Sequence, residues 1–165
     1  MKEGINMSQY YKKYVYGGLM TAVIIIATVV VKIPAINGYL NFGDCFVILS
    51  GILLGPLYGG LASGIGSAVS DVVSGFALYA PATFVIKFLM SVVSYYVYKK
   101  HGAVLSVILT EMTMVLGYFL FETVIYGVGV SSMGILWNLL QGTVCGVIAV
   151  ILIKMRFLEL MKKND

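Results

Sequence analysis

AVLSVILTEMTMVLGYFLFETVIY, residues 103–126, is the stretch from which the fold can be read. It holds no proline, its only charges are Glu111 and Glu122, and as a helix rising 1.5 Å per residue it is about 36 Å long, enough to cross a hydrocarbon core of about 30 Å. A water-soluble fold would have to bury such a helix on every side, and a chain of 165 residues has too little interior for that. The whole chain is of the same kind: 60% hydrophobic, 11% charged, with a mean hydropathy of +0.97. Soluble domains run at about 45–50% apolar and about 25% charged residues. The bilayer is therefore the solvent. With 2 cysteines, 1 histidine and 11 basic residues, the composition excludes a disulfide-stapled secreted module, a nucleic-acid binder and a disordered regulator.

Working outward, five more apolar stretches lie between polar or turn-forming punctuation: Tyr14 to Val31, Gly43 to Gly55, Leu57 to Ser74, Pro81 to Tyr98 and Met133 to Ile153. With Ala103 to Tyr126 they predict an all-α integral membrane protein, a bundle of six transmembrane helices with short connections. The second is short for a span and is the natural place for a broken pair with the third, across Gly55, Pro56, Gly59 and Gly60. The basic residues give the orientation. Lys2, Lys12, Lys13, Lys99, Lys100, Lys154, Arg156, Lys162 and Lys163 fall on one side and Lys32 on the other, which places the N- and C-termini in the cytoplasm. The pI near 9.0 is thus a topology signal and calls for no nucleic acid. The expected organisation is a cytoplasmic segment 1–13, a transmembrane binding domain 14–153 and a basic cytoplasmic tail 154–165. No small-x-small cleavage site follows the first span, so it is read as a retained helix.

The chemistry rests on the few ionisable residues inside the spans: Asp44, Asp71, Lys87, Glu111 and Glu122. A charge at a helix centre costs about 2.5–3.5 kcal/mol on insertion scales, so these groups should face one another or a polar cavity. In the expected topology all but Glu111 gather in the outer leaflet. Glu111 and Glu122 share a helix face, since eleven steps of 100° return to within about 20°. Thr83, Lys87, Ser91 and Ser94 form a polar stripe on one helix; Trp137, Asn138 and Gln141 cluster on another; Asn37, Tyr39, Asn41, Tyr79 and Ser132 lie in outer loops. Together they describe an outward-opening pocket for a small organic solute. A plainer reading stands beside this one. Asp71 or Glu122 with Lys87 makes a structural ion pair, Trp137 and Tyr79 serve as interfacial anchors, and Asp44 caps a helix.

No P-loop for ATP is present, no zinc-type His/Cys spacing, and a lone histidine, His101, in a basic loop supports no Ser-His-Asp set. The expectation is a protein that is not an enzyme, with no catalytic residues, no metal site and no cofactor. Gly18 and Ala22 form a small-residue stripe on the first helix, and Gly60, Gly64 and Ala68 another on the third, the usual signature of helix–helix contact in membranes.

The runs Tyr39-Leu-Asn-Phe-Gly-Asp44, Leu54-Gly-Pro56, Gly59 to Ala68, Asp71, Tyr79 to Lys87, Glu111, Gly117 to Glu122 and Asn138-Leu-Leu-Gln141-Gly resemble the substrate-binding S components of energy-coupling factor (ECF) vitamin transporters. Within these the resemblance is to the hydroxymethylpyrimidine- and pyridoxine-type branch. It implies a bundle that captures a water-soluble vitamin outside and docks onto a transmembrane T component carrying two ABC-type ATPases. Substrate contacts would fall on Asn41, Asp71, Tyr79, Thr83, Lys87, Glu122, Trp137, Asn138 and Gln141, and docking on Gly18 and Ala22, where glycine stands in a stripe usually rich in alanine. Pyridoxine or hydroxymethylpyrimidine leads as substrate, with riboflavin and thiamine as alternatives. A self-contained carrier using the buried carboxylates, and a scaffold whose charges are structural, are the competing classes.

Overall fold

A computed structural model describes residues 7–34 and 39–155. Five helices follow in order: α1 (Met7–Val30), α2 (Gly43–Val73), α3 (Ala80–His101), α4 (Ala103–Tyr126) and α5 (Val128–Lys154). All five are long and apolar enough to cross a membrane. α1 begins before Tyr14 and includes Lys12 and Lys13, and α5 starts at Val128, ahead of the expected Met133. One feature was not expected: between α1 and α2, β1 (Lys32–Pro34) pairs antiparallel with β2 (Tyr39–Asn41), Ile33 opposite Leu40. This pairing satisfies backbone groups of the connection.

The two expected spans between Gly43 and Ser74 form α2, broken at Gly55, whose φ of 82° and ψ of 176° are not helical. That conformation is essentially reserved for glycine, and the Pro56 that follows suits the first position of a new helix. The break reverses the chain. Ser50 Oγ donates to Gly59 O at 3.0 Å, although nine residues of continuous helix would separate them by about 13.5 Å. The contacts with α3 agree. Before the break, Asp44 meets Lys87 and Ile48 O accepts from Ser94 Oγ, so that half runs parallel to α3. After it, Gly60 abuts Phe88 and Gly64 abuts Phe84, so that half runs antiparallel. Gly102 and Gly127 adopt nearly the same backbone geometry at the tight α3–α4 and α4–α5 connections.

The half of α2 before Gly55 is the centre of the bundle. Asp44, Cys45 and Val47 through Ile52 are all buried, as expected for a helix apolar on every side. Its Val47 joins Ile24, Ile86, Met90, Met114 and Val115 in one core cluster. Its Ile48, Leu49 and Ile52 pack with Val107, Cys145 and Ala149 in another. Short as it is, it needs no full span, because the β-hairpin lies next to its start. α1 stands at the opposite extreme: Val15, Leu19 and Ile26 are exposed and turn toward lipid.

Within this core Lys87 and Asp44 form an ion pair, 3% and 0% exposed. The ammonium also lies 5.3 Å from the centre of the Tyr118 ring, and Asp44 Oδ2 accepts from Gln141 Nε2 at 2.7 Å. One buried contact thus ties α2, α3 and α5. At the end of the bundle away from the β-hairpin, Lys13 stands over Tyr58, Lys99 bonds to Tyr95, and Gly55 lies beside Tyr95.

Two outcomes check this fold. Gly55→Ala should cost about 1–3 kcal/mol, read as a lowered thermal midpoint in detergent, while Gly17→Ala, where an added Cβ meets nothing within 4 Å, should lose nothing; an equal response at both sites would contradict the reversal. Lys87→Met should cost about 3–5 kcal/mol by leaving Asp44 buried without its cation. The double change Lys87→Met with Asp44→Leu should recover much of that loss, and strictly additive losses would contradict the pairing.

Candidate functional site

At the hairpin end of the bundle lies a cavity of about 70 Å³. β2 supplies Tyr39, Leu40 and Asn41; the end of α2 and the turn after it supply Asp71, Phe76 and Tyr79; α3 supplies Thr83; α4 supplies Tyr118 and Glu122; and α5 supplies Gly134, Trp137, Asn138 and Gln141. Residues far apart in the chain meet here because the second half of α2, α3, α4 and α5 alternate direction, bringing one end of each to the same level.

The floor is a fixed polar chain. Gln141 Nε2 donates to Asp44, so its Oε1 faces the other way and accepts the backbone N–H of Asn41 at 3.0 Å. Asn41 Oδ1 in turn accepts the N–H of Gly43 at 2.8 Å, one of the donors a helix start leaves open. The β-hairpin is thereby held to both α2 and α5. Beside it, the Thr83 and Tyr118 hydroxyls lie 3.0 Å apart.

The walls are aromatic and acidic. Ring pairs Tyr39–Phe76, Phe76–Tyr79 and Tyr79–Phe121, at centroid distances of 5.2, 6.3 and 5.2 Å, run around the mouth. Tyr39 OH donates to Asp71 Oδ1 at 2.9 Å. Burial, and then the neighbouring Asp71 carboxyl, push the Tyr39 phenol above its usual range, so it remains a proton donor at physiological pH. Lys32 bonds to Ser74 and lies 5.1 Å from the Tyr39 ring, bracing the hairpin against the end of α2. Tyr79 OH reaches Glu122 Oε1 at 3.4 Å. Gly134 leaves room for Glu122: a Cβ there would stand 2.7 Å from Oε2.

Eight of the nine residues expected to contact substrate line this cavity: Asn41, Asp71, Tyr79, Thr83, Glu122, Trp137, Asn138 and Gln141. Lys87 is not among the lining residues. Its side chain turns into the core toward Asp44, and neither Asp71 nor Glu122 is the partner. Asp44 is not a surface cap but the fully buried partner of Lys87 and Gln141. Glu111 sits deeper, with Gly142 opposite it as Gly134 is opposite Glu122. The two glutamates thus share the α4 face turned to α5. Asn37 lies outside the described residues, and Ser132 bonds the Val128 carbonyl at the start of α5. Tyr39 was expected only as an outer-loop polar group, and Tyr118 and Gly134 were not singled out. Tyr118 stands four residues before Glu122, one turn along the same face, which was a usable signal; the space at Gly134 had none. Gly18 and Ala22 are both exposed on α1.

Among the described residues no group of three or more His, Cys, Asp or Glu side chains is arranged to hold a metal, and Cys45 and Cys145 are unpaired and buried. The arrangement can grip an uncharged or donor-bearing solute by hydrogen bonds and ring contacts.

Comparisons with known proteins bear on this arrangement. No curated protein sequence matches the chain. A solved structure described as the S component of a bacterial ECF transporter superposes with a TM-score of 0.75 at 19% identity, over 88% of this chain and 95% of that one, a likeness of fold. The family described as "ECF-type riboflavin transporter, S component" matches residues 8–156. Since that match spans nearly the whole of a multi-pass membrane chain, this protein belongs to the S components of ECF-type transporters, a family of membrane transport proteins rather than enzymes.

Proposed function

We propose that this chain captures a small water-soluble vitamin or vitamin precursor from outside the cell and delivers it inward by docking onto a transmembrane T component with two ABC-type ATPases. The observation that carries the reading is the cavity itself. It lies at the opposite end of the bundle from Lys13 and Lys99, and amides, phenols and carboxyls converge in it within an aromatic frame. In this reading both termini are cytoplasmic, the reversal at Gly55 makes six crossings of the five helices, and residues 14–153 form the binding domain between cytoplasmic ends 1–13 and 154–165. The basic end is then the cytoplasmic end, and the hairpin faces the medium.

Pyridoxine or hydroxymethylpyrimidine is the proposed substrate. Its lining of amides, phenols and carboxyls matches the hydroxyls and ring nitrogen of these compounds. Riboflavin is the second reading, favoured by the description of the matching family. Asn41, Asp71, Tyr79, Thr83, Glu122, Trp137, Asn138 and Gln141 are the proposed contacts, with Lys87 acting at one remove by holding Asp44 and hence Gln141. Gly18 and Ala22 are the proposed docking face. Both are exposed, and a Cβ added at Gly18 would meet nothing within 4 Å, so a partner helix has room to approach closely there.

Calorimetric titration of the purified chain with pyridoxine, hydroxymethylpyrimidine, thiamine and riboflavin should give one-to-one binding of a one-ring compound. Asn138→Leu should weaken it by about tenfold, the worth of one lost hydrogen bond; unchanged affinity would remove Asn138 from the site, and tightest binding of riboflavin would favour the second reading. Gly18→Leu or Ala22→Leu should leave that affinity intact yet abolish vitamin uptake by cells carrying the whole transporter. Normal uptake would refute the docking face.

A further inference from the structure

We infer that the cavity selects a ring bearing a cationic nitrogen and discriminates against phosphate esters; this rests on the vitamin-binding reading above. Two carboxyl side chains, Asp71 and Glu122, only 8% and 5% exposed, line the cavity from opposite elements. Among the described residues no lysine, arginine or histidine lines it. The two cations in its neighbourhood are committed elsewhere: Lys87 to Asp44, Lys32 to Ser74 and the Tyr39 ring.

Asp71 carries the inference. Its Oδ1 is occupied by Tyr39 OH. Its Oδ2, close to Thr83, has no hydrogen bond of ordinary geometry among the described residues, although it is buried. The Thr83 hydroxyl lies 3.0 Å from that of Tyr118, and either oxygen can be the donor there. A buried acceptor left this way calls for a donor, and a charged donor makes the stronger bond to a carboxyl. The rings of Tyr39 and Tyr79 present further faces on which a cation is favoured. A phosphate ester would instead bring negative charge beside two carboxyls with no cation among the described lining residues, an arrangement that works against such a competitor.

The test uses compounds that differ in one group. Pyridoxamine, pyridoxine and pyridoxine 5′-phosphate share a ring and differ in bearing an ammonium, a hydroxyl or a phosphate. Titrated into the full chain in lipid nanodiscs near pH 7, pyridoxamine should bind about tenfold tighter than pyridoxine or better, and the phosphate ester should bind weakest. Asp71→Asn, which keeps an oxygen for Tyr39, should bring the amine-to-alcohol ratio close to one. Glu122→Gln should reduce the ratio in the same direction, and serves if the Asp71 variant does not fold. Equal affinity for amine and alcohol in the unaltered chain, tightest binding of the phosphate ester, or a ratio unmoved by both variants would overturn the inference and leave the vitamin-binding reading standing. Failure of all three compounds to bind would overturn it together with the one-ring reading.

Discussion

The contact on which the rest of the structure depends is the ion pair between Lys87 and Asp44 in the middle of the bundle. Two charges taken out of water cost several kcal/mol each, and their attraction offsets this only when the geometry is good and the remaining valences are met. Here Gln141 Nε2 meets the second carboxylate oxygen, and the Tyr118 ring lies beside the ammonium. The pair therefore sets where α2, α3 and α5 stand relative to one another. Through Gln141 it also sets which way the cavity floor presents its amide. Change either charge and the floor loses its orientation, even though neither residue lines the cavity.

The sequence foretold which residues would be internal, because charged groups in lipid are expensive wherever they stand. It did not foretell their partners. Lys87 has Asp71 and Glu122 in the same leaflet by depth alone, and the choice of Asp44 depends on the central half of α2 lying parallel to α3. That follows from the reversal at Gly55 and from no periodicity in the chain. The break itself was legible in the Gly55-Pro56 pair and the brevity of the apolar run before it. The β-hairpin was not, since three-residue strands carry too little pattern to register. Asn41, Asp71, Asn138 and Gln141, which line the cavity, could be picked out as candidates because polar side chains beside apolar helices stand out. Tyr118 and Gly134 were not found, because a tyrosine or glycine in a membrane helix has many ordinary explanations.

Capture and delivery make opposite demands on one small bundle, and the packing separates them. The core clusters on the central helix and the hydrogen bonds of the floor give a rigid base. Above it, the described part of the hairpin is held by Tyr39 on Asp71 and the Phe76 ring, by Lys32 on Ser74, and by Asn41 on Gln141, Gly43 and Cys145. α1 exposes much of its surface, and in the proposed cycle that face meets the energising partner while the cavity remains intact.

The central claim, that the hairpin-end cavity is a vitamin site, is tested most directly by native mass spectrometry of the chain purified from cells grown in vitamin-rich medium. The account predicts one small-molecule adduct per chain, in the mass range of a one-ring vitamin. It also predicts that the adduct vanishes in Gly134→Leu, whose side chain would occupy the space beside Glu122. An adduct that persists unchanged when the cavity is filled, or a chain that carries none in either form, would contradict it.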